Sequence, residues 1–290
     1  MTADAGVPFP AWHFHPDVML LVTLLAAGYY LALRHHAAVT GEAAASRRQM
    51  AYFAAGVATL FIASTWPVHD LAERYLYSVH MVQHLLMTLI AAPLFLLGIP
   101  SWMAEKALAR GKALPIVRTL SKPVPNLLQA NLVLVLSHWP LVVRGTVEFH
   151  ALHFVAHAVL LTSALVMWMP VLSPHPAIPR LAPLLQMVYL FLQTILPTIP
   201  ASFLTFGRGL LYPIYGTFPR IWDISAITDQ QVAGLIMKIG AGSFLWVVIT
   251  AIFFRWYARE ELRPKKPKDV LLWDDVQREL ERLERPSGSR

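Results

Sequence analysis

Cysteine is absent from all 290 residues, which excludes a disulfide framework, a thiolate metal site and an iron–sulfur cluster. Any metal must rest on histidine, methionine, carboxylate or backbone ligands. Charge is the second shortage. Only 14% of the residues are Asp, Glu, Lys or Arg, against about 25% in soluble globular proteins. With 56% hydrophobic residues and a mean hydropathy of +0.51, the chain has too little polar surface to disperse in water. Its solvent is largely lipid. These shortages exclude a disordered chain, a nucleic-acid-binding domain and an ordinary cytosolic enzyme. The formal charge of +7 is therefore no argument for nucleic acid, and its distribution between loops is what matters. A nucleophile–base triad, a phosphate loop and a zinc-protease motif are all missing.

What is present is a series of seven apolar stretches, near Asp17–Leu33, Gln49–Trp66, Val79–Leu97, Pro125–Val143, His153–Leu172, Leu181–Phe206 and Gln231–Tyr257. Crossing a hydrocarbon core of about 30 Å takes roughly 20 helical residues. Backbone groups in lipid must be satisfied within their own segment, so the spans are helices. The fold class is all-α: a polytopic, seven-helix transmembrane domain over residues 1–257, followed by a charged tail over 258–290. Residues ahead of the first stretch lack Lys and Arg and carry two Pro-containing aromatic clusters, so no cleavable signal peptide is expected. No internal repeat suggests an inverted-repeat transporter.

Lysine and arginine orient the bundle. Nineteen of the 24 fall at or beyond the far ends of spans one, three, five and seven. Arg74, Arg144, Arg208 and Arg220 lie on the other side, and Lys238 within the last span. The positive-inside rule then puts the N-terminus outside and the C-terminus in the cytoplasm. The basic stretch Gly98–Val124 reads as an anchor against anionic membrane lipid. In the tail, Leu272, Val276, Leu280 and Leu283 recur at helical spacing among charges, as in an amphipathic helix on the membrane face or a partner.

Histidine runs the opposite way. His13, His15, His69, His80, His84, His138, His150, His153 and His157 fall on the outer side, and only His35, His36 and His175 on the inner. General basicity does not explain this, and histidine within a span tends to face a bundle interior, a pathway or an ion. His80 and His84 are four apart and share a helix face; His150, His153 and His157 do the same at offsets of three and four. Spans three and five run in the same direction, so both groups start at one depth beneath the outer surface.

Imidazole suits copper, zinc and iron, while thioether favours copper(I). Met81 and Met87 flank the first pair, and a cysteine-free His/Met site suits copper in an oxidising outer compartment. Axial haem ligation, a proton relay and a purely structural role share the same spacing. Asp229, Gln230 and Gln231 are ligand or supporting candidates, though Asp229 equally suits a first-turn carboxylate. Lys238 reads either as a proton or anion carrier or as a snorkelling lysine. His69 and Asp70 read as a solvated loop pair. The Trp12–Pro16 stretch reads as an interfacial anchor in which His13 and His15 are minor metal-capture candidates.

At these residues the sequence resembles the multi-span CtaG family of cytochrome c oxidase assembly factors. His80-Met81-Val82-Gln83-His84-Leu85-Leu86-Met87, with Ala92-Pro93-Leu94 and Leu97-Gly98-Ile99-Pro100, resembles that family's most recognisable stretch. The His150/His153/His157 run leading into Trp168-Met169-Pro170-Val171 is similar to a second signature, and Asp229–Met237 to a third. The resemblance covers roughly Trp12–Tyr257. It implies a bacterial plasma-membrane protein of seven spans that serves haem–copper oxidase assembly by helping copper reach subunit I. The residues themselves read as those of a protein that is not an enzyme. A soluble periplasmic copper carrier is then a further candidate partner.

The expectation is that His80, His84, His153 and His157 bind copper, as copper(I), near the outer face, with His150, Met87 and Asp229 as auxiliary candidates. A haem-binding membrane protein, a copper transporter and a structural scaffold are the rival readings.

Overall fold

The computed structural model describes residues 12–262 and 273–284, all of whose regular structure is helical. Helix α1 (Pro16–Thr40) has proline in its first turn, where the missing N–H costs nothing, and stops at Gly41, whose φ of 72° closes the last turn. Helix α2 (Arg47–Ser64) starts at a capping box between Ser46 and Gln49. A short α3 (Val68–Arg74) continues it. Helix α4 (Tyr77–Gly98) carries a π-helical turn at Leu86–Ala91. The wider turn lies directly ahead of Pro93, whose ring and missing N–H a regular helix accommodates poorly. Two short helices, α5 (Ser101–Leu108) and α6 (Ala113–Leu120), hold the basic segment.

The fourth expected span is divided. Helices α7 (Pro123–Ser137) and α8 (Pro140–Glu148) meet at a bend of 62°. Pro140 starts the second piece, and the residue ahead of a proline is pushed out of helical geometry, so Trp139 is extended. Helices α9 (His150–Leu172), α10 (Pro183–Phe206) and α11 (Ala226–Glu261) complete the bundle, with a second π-helical turn at Ile236–Gly240 in α11. Among the described residues six helices are long and apolar enough to cross a membrane, and the count is seven where the bent α7–α8 pair is taken as one span. In the tail, α12 spans Trp273–Glu284, with Leu280 and Leu283 exposed. Leu272, expected on its apolar face, lies outside the described residues.

One core packs Leu89, Ala92 and Leu96 of α4 against Ala164 and Trp168 of α9, Tyr189 and Leu190 of α10, and Leu245 and Ile249 of α11. The Trp168 indole N–H donates to the Thr88 carbonyl at 2.9 Å, joining α9 to α4. A second core seats Phe53 and Leu60 of α2 on Met87 and Phe95 of α4. Leu24, Leu128, Leu132, Phe203 and Val247 point outward, which suits a surface wetted by lipid.

Away from the histidines, Asn126 is fully buried and donates to the Val166 carbonyl at 2.7 Å, while the Tyr189 hydroxyl stands 2.9 Å from its Oδ1. This polar knot joins α7, α9 and α10. Interhelical hydrogen bonds in membrane bundles average about 0.6 kcal/mol and reach about 1.7. Asn126→Ala should therefore lower the unfolding temperature in detergent by a few degrees and leave metal binding unchanged.

Candidate metal centre

Helix α4 starts at Tyr77 with no side chain of its own neighbourhood to cap it. The cap comes from α11. Asp229 is 1% exposed; its carboxylate accepts the Tyr77 N–H at 2.7 Å and the Ser78 N–H at 2.9 Å. Both donors are otherwise unsatisfied helix-start groups, and a negative charge there also interacts favourably with the positive end of the helix dipole. Depth and rotation of α4 are thus fixed one turn before His80 and two before His84. Each Asp229 oxygen accepts one of these N–H groups, and Asp229 is not among the ligand atoms that converge with His80, His84 and His157.

His80 and His84 follow one another along α4 with ring centroids 4.2 Å apart and ring planes tilted by 58°. His157 of α9 faces them: its Nε2 is 3.2 Å from His84 Nε2, and its ring centroid is 5.6 Å from that of His80. One nitrogen from each of the three lies within 4.8 Å of the others. The Nδ1 of His80 is buried with no hydrogen-bond partner. This is an inner imidazole group carried by α4 and α9.

His138 completes its surroundings. It ends α7 at the break in the fourth crossing, and its Nδ1 is 2.8 Å from the Leu134 carbonyl. A carbonyl only accepts, so Nδ1 carries the proton and Nε2 is left with a lone pair. That Nε2 is buried and unpartnered, and the His138 ring lies 6.0 Å from that of His84. Its backbone is held as well, by the Tyr212 hydroxyl donating to the His138 carbonyl at 2.7 Å. Burial pushes the Tyr212 phenol up to about 12, so it stays a donor. A small cavity of about 20 Å³ is lined by His80, His84, His138, His153 and His157, room for one ion or one water.

His153 turns elsewhere. Its Nε2 is 3.2 Å from Glu73 Oε1, and the other Glu73 oxygen is 3.3 Å from His69 Nε2. His69, Glu73 and His153 form an outer group whose ligand atoms also lie within 4.8 Å of one another. The two groups adjoin, with the His153 and His157 rings 4.1 Å apart. Read from the sequence, His69 and Asp70 are solvated; the structure buries both, at 5% and 1% exposure. The apolar end of α2 runs on into α3 and carries them against the bundle, where Asp70 meets His13 Nδ1 at 3.2 Å and His15 Nε2 at 3.3 Å. Glu73 is singled out by nothing in the sequence reading, although its four-residue offset from His69 is the same helical spacing that marks His80 and His84.

The remaining candidates stand apart from the inner group. His150 is exposed and lies 3.5 Å from Asp17. Met87 is buried among Phe53, Leu60 and Phe95, between α2 and α4. Gln230 accepts the Leu211 N–H at 2.6 Å and donates to the Gly209 carbonyl at 3.2 Å, binding α11 to the preceding loop. Lys238 is exposed, its ammonium 5.9 Å from the Phe206 ring centroid.

A family model described as cytochrome c oxidase caa3 assembly factor (Caa3_CtaG) matches residues 27–259. The chain belongs to that family. The match takes in every residue of both histidine groups and Asp229, and leaves out His13, His15 and α12. No curated protein and no solved structure matches the chain. Membership makes this CtaG-family protein an assembly factor for a cytochrome c oxidase, which implies association with that oxidase and suggests a non-catalytic role. Its many apolar helices suggest a multi-pass membrane protein.

Proposed function

We propose that this CtaG-family protein binds copper(I) between His80, His84 and His157, with His138 as fourth ligand, and passes it to subunit I of the oxidase. The observation that carries the reading is the convergence of three imidazoles from α4 and α9 within 4.8 Å, beside the unpartnered Nε2 of His138. Ligands about 2.0–2.1 Å from a tetrahedral ion stand roughly 3.3 Å apart, and the 3.2 Å between His84 and His157 Nε2 atoms suits that edge. No carboxylate belongs to this group. Burial cost climbs steeply with charge, so an all-imidazole centre beneath the surface favours the singly charged cuprous ion. Copper is cargo here, and neutral nitrogen ligands let it leave by exchange.

The proposed membrane is the bacterial plasma membrane, with the histidine end outside and the basic α5–α6 segment against cytoplasmic lipid. A fissure of about 220 Å³ between α1, α2 and α9 reaches His157 from the side and supports lateral release to a membrane-embedded acceptor, with a soluble periplasmic copper carrier as donor. The space between the imidazoles, about 20 Å³, suits an ion; a separate apolar cavity of about 110 Å³ borders His84 and His138. In cells whose only copy is the His84→Ala/His157→Ala variant, oxidase copper and activity should fall at least tenfold while the variant protein accumulates normally. Oxidase with its full copper complement in those cells contradicts the proposal.

A further inference from the structure

The outer group has a chemistry the inner one lacks. We propose that His69, Glu73 and His153 form a second, separate metal site, selective for a divalent cation of the zinc or copper(II) class. Two imidazoles and one carboxylate are a common donor set for such ions. The anionic Glu73 offsets one of the ion's two charges, which the inner imidazoles do not. The Glu73 oxygens sit 3.2 and 3.3 Å from the two ring nitrogens, close to the roughly 3.3 Å edge of a zinc tetrahedron.

Both Glu73 contacts lie within ion-pair distance, but a hydrogen bond does not account for the one to His153. His153 Nε2 is buried and has no hydrogen-bond partner although Glu73 Oε1 is at hydrogen-bond distance; the pair is close but misdirected, as two ligands of one ion are. His69 is oriented from behind by Gln83, whose amide is 3.1 Å from His69 Nδ1. The Gln83 Oε1 is buried and unpartnered. With the amide turned over, which exchanges two atoms of similar size, Oε1 accepts the His69 Nδ1 proton and leaves Nε2 free for a metal. A vestibule of about 240 Å³ bordered by Glu73, Arg74, His80, His150 and His153 leads to the site.

The inference goes beyond the copper(I) reading and needs only the outer group. The test uses the full chain in detergent, stripped with a chelator and equilibrated with zinc, which is redox-inert, or with copper(I) under reducing conditions. Glu73→Gln should remove one zinc ion per chain and leave copper(I) binding unchanged, which also reports an intact fold; His69→Gln should behave alike. The His84→Ala/His157→Ala variant should keep the Glu73-dependent zinc and lose copper(I). Zinc binding unaffected by both Glu73→Gln and His69→Gln overturns the outer site, whatever happens to copper. Loss of copper(I) together with zinc in both of those variants overturns the separateness of the two centres. If the zinc dependence on Glu73 appears while copper(I) ignores His84 and His157, the outer site stands and the copper reading falls.

Discussion

Asp229→Ala should lower stability by roughly 2–4 kcal/mol, because two hydrogen bonds to a buried carboxylate are lost and the start of α4 is left uncapped. The residue bridges elements 151 and 152 positions apart in sequence, so its loss loosens α4 against α11 and lets His80 and His84 drift relative to His157. Thermal unfolding in detergent and copper(I) affinity should therefore fall together. Asp229→Asn retains an acceptor oxygen without the charge and should recover about half of the stability. A variant that unfolds like the parent but has lost copper would instead mark Asp229 as a ligand.

Gly234→Ala should be at least as damaging. A Cβ there would meet the Thr205 hydroxyl, and would lie 2.8 Å from both the Ala201 carbonyl oxygen and the Thr205 backbone nitrogen. Overpacking a core costs typically 1–3 kcal/mol when side chains can yield. Here two obstacles are backbone, so α10 and α11 must separate, and a loss of about 3 kcal/mol or more is expected. Thr205→Ala should give little rescue, since the backbone atoms remain. Gly242→Ala is the matched control on the same helix: nothing lies within 4 Å of its Cβ, and it should unfold at the parent temperature.

The helices and the histidine faces were legible because each rests on a local pattern. Apolar runs and the shortage of charge required a helical membrane protein, and four-residue spacing put His80 with His84. What spacing could not tell is which centre each ring serves. His153 and His157 share a face, yet four residues advance about 6 Å along a helix. That is far enough for one to join Glu73 and the other His84. Partners arriving from distant segments were equally hidden. Asp229 caps a helix it does not belong to, whereas capping patterns relate only neighbouring residues. Glu73 sits just past an apolar stretch, where carboxylates are ordinarily solvated. His138 owes its position to the break at Pro140, which turned an expected continuous span into a bent pair.

The proposed copper centre draws imidazoles from α4 and α9 onto one ion. X-ray absorption of the copper(I)-loaded Glu73→Gln variant, with the outer site removed, tests it most directly. A first shell of three or four imidazole nitrogens, collapsing when His84 and His157 are both replaced by alanine, is the result expected. A shell dominated by sulfur, or one unchanged by that replacement, would place the copper elsewhere.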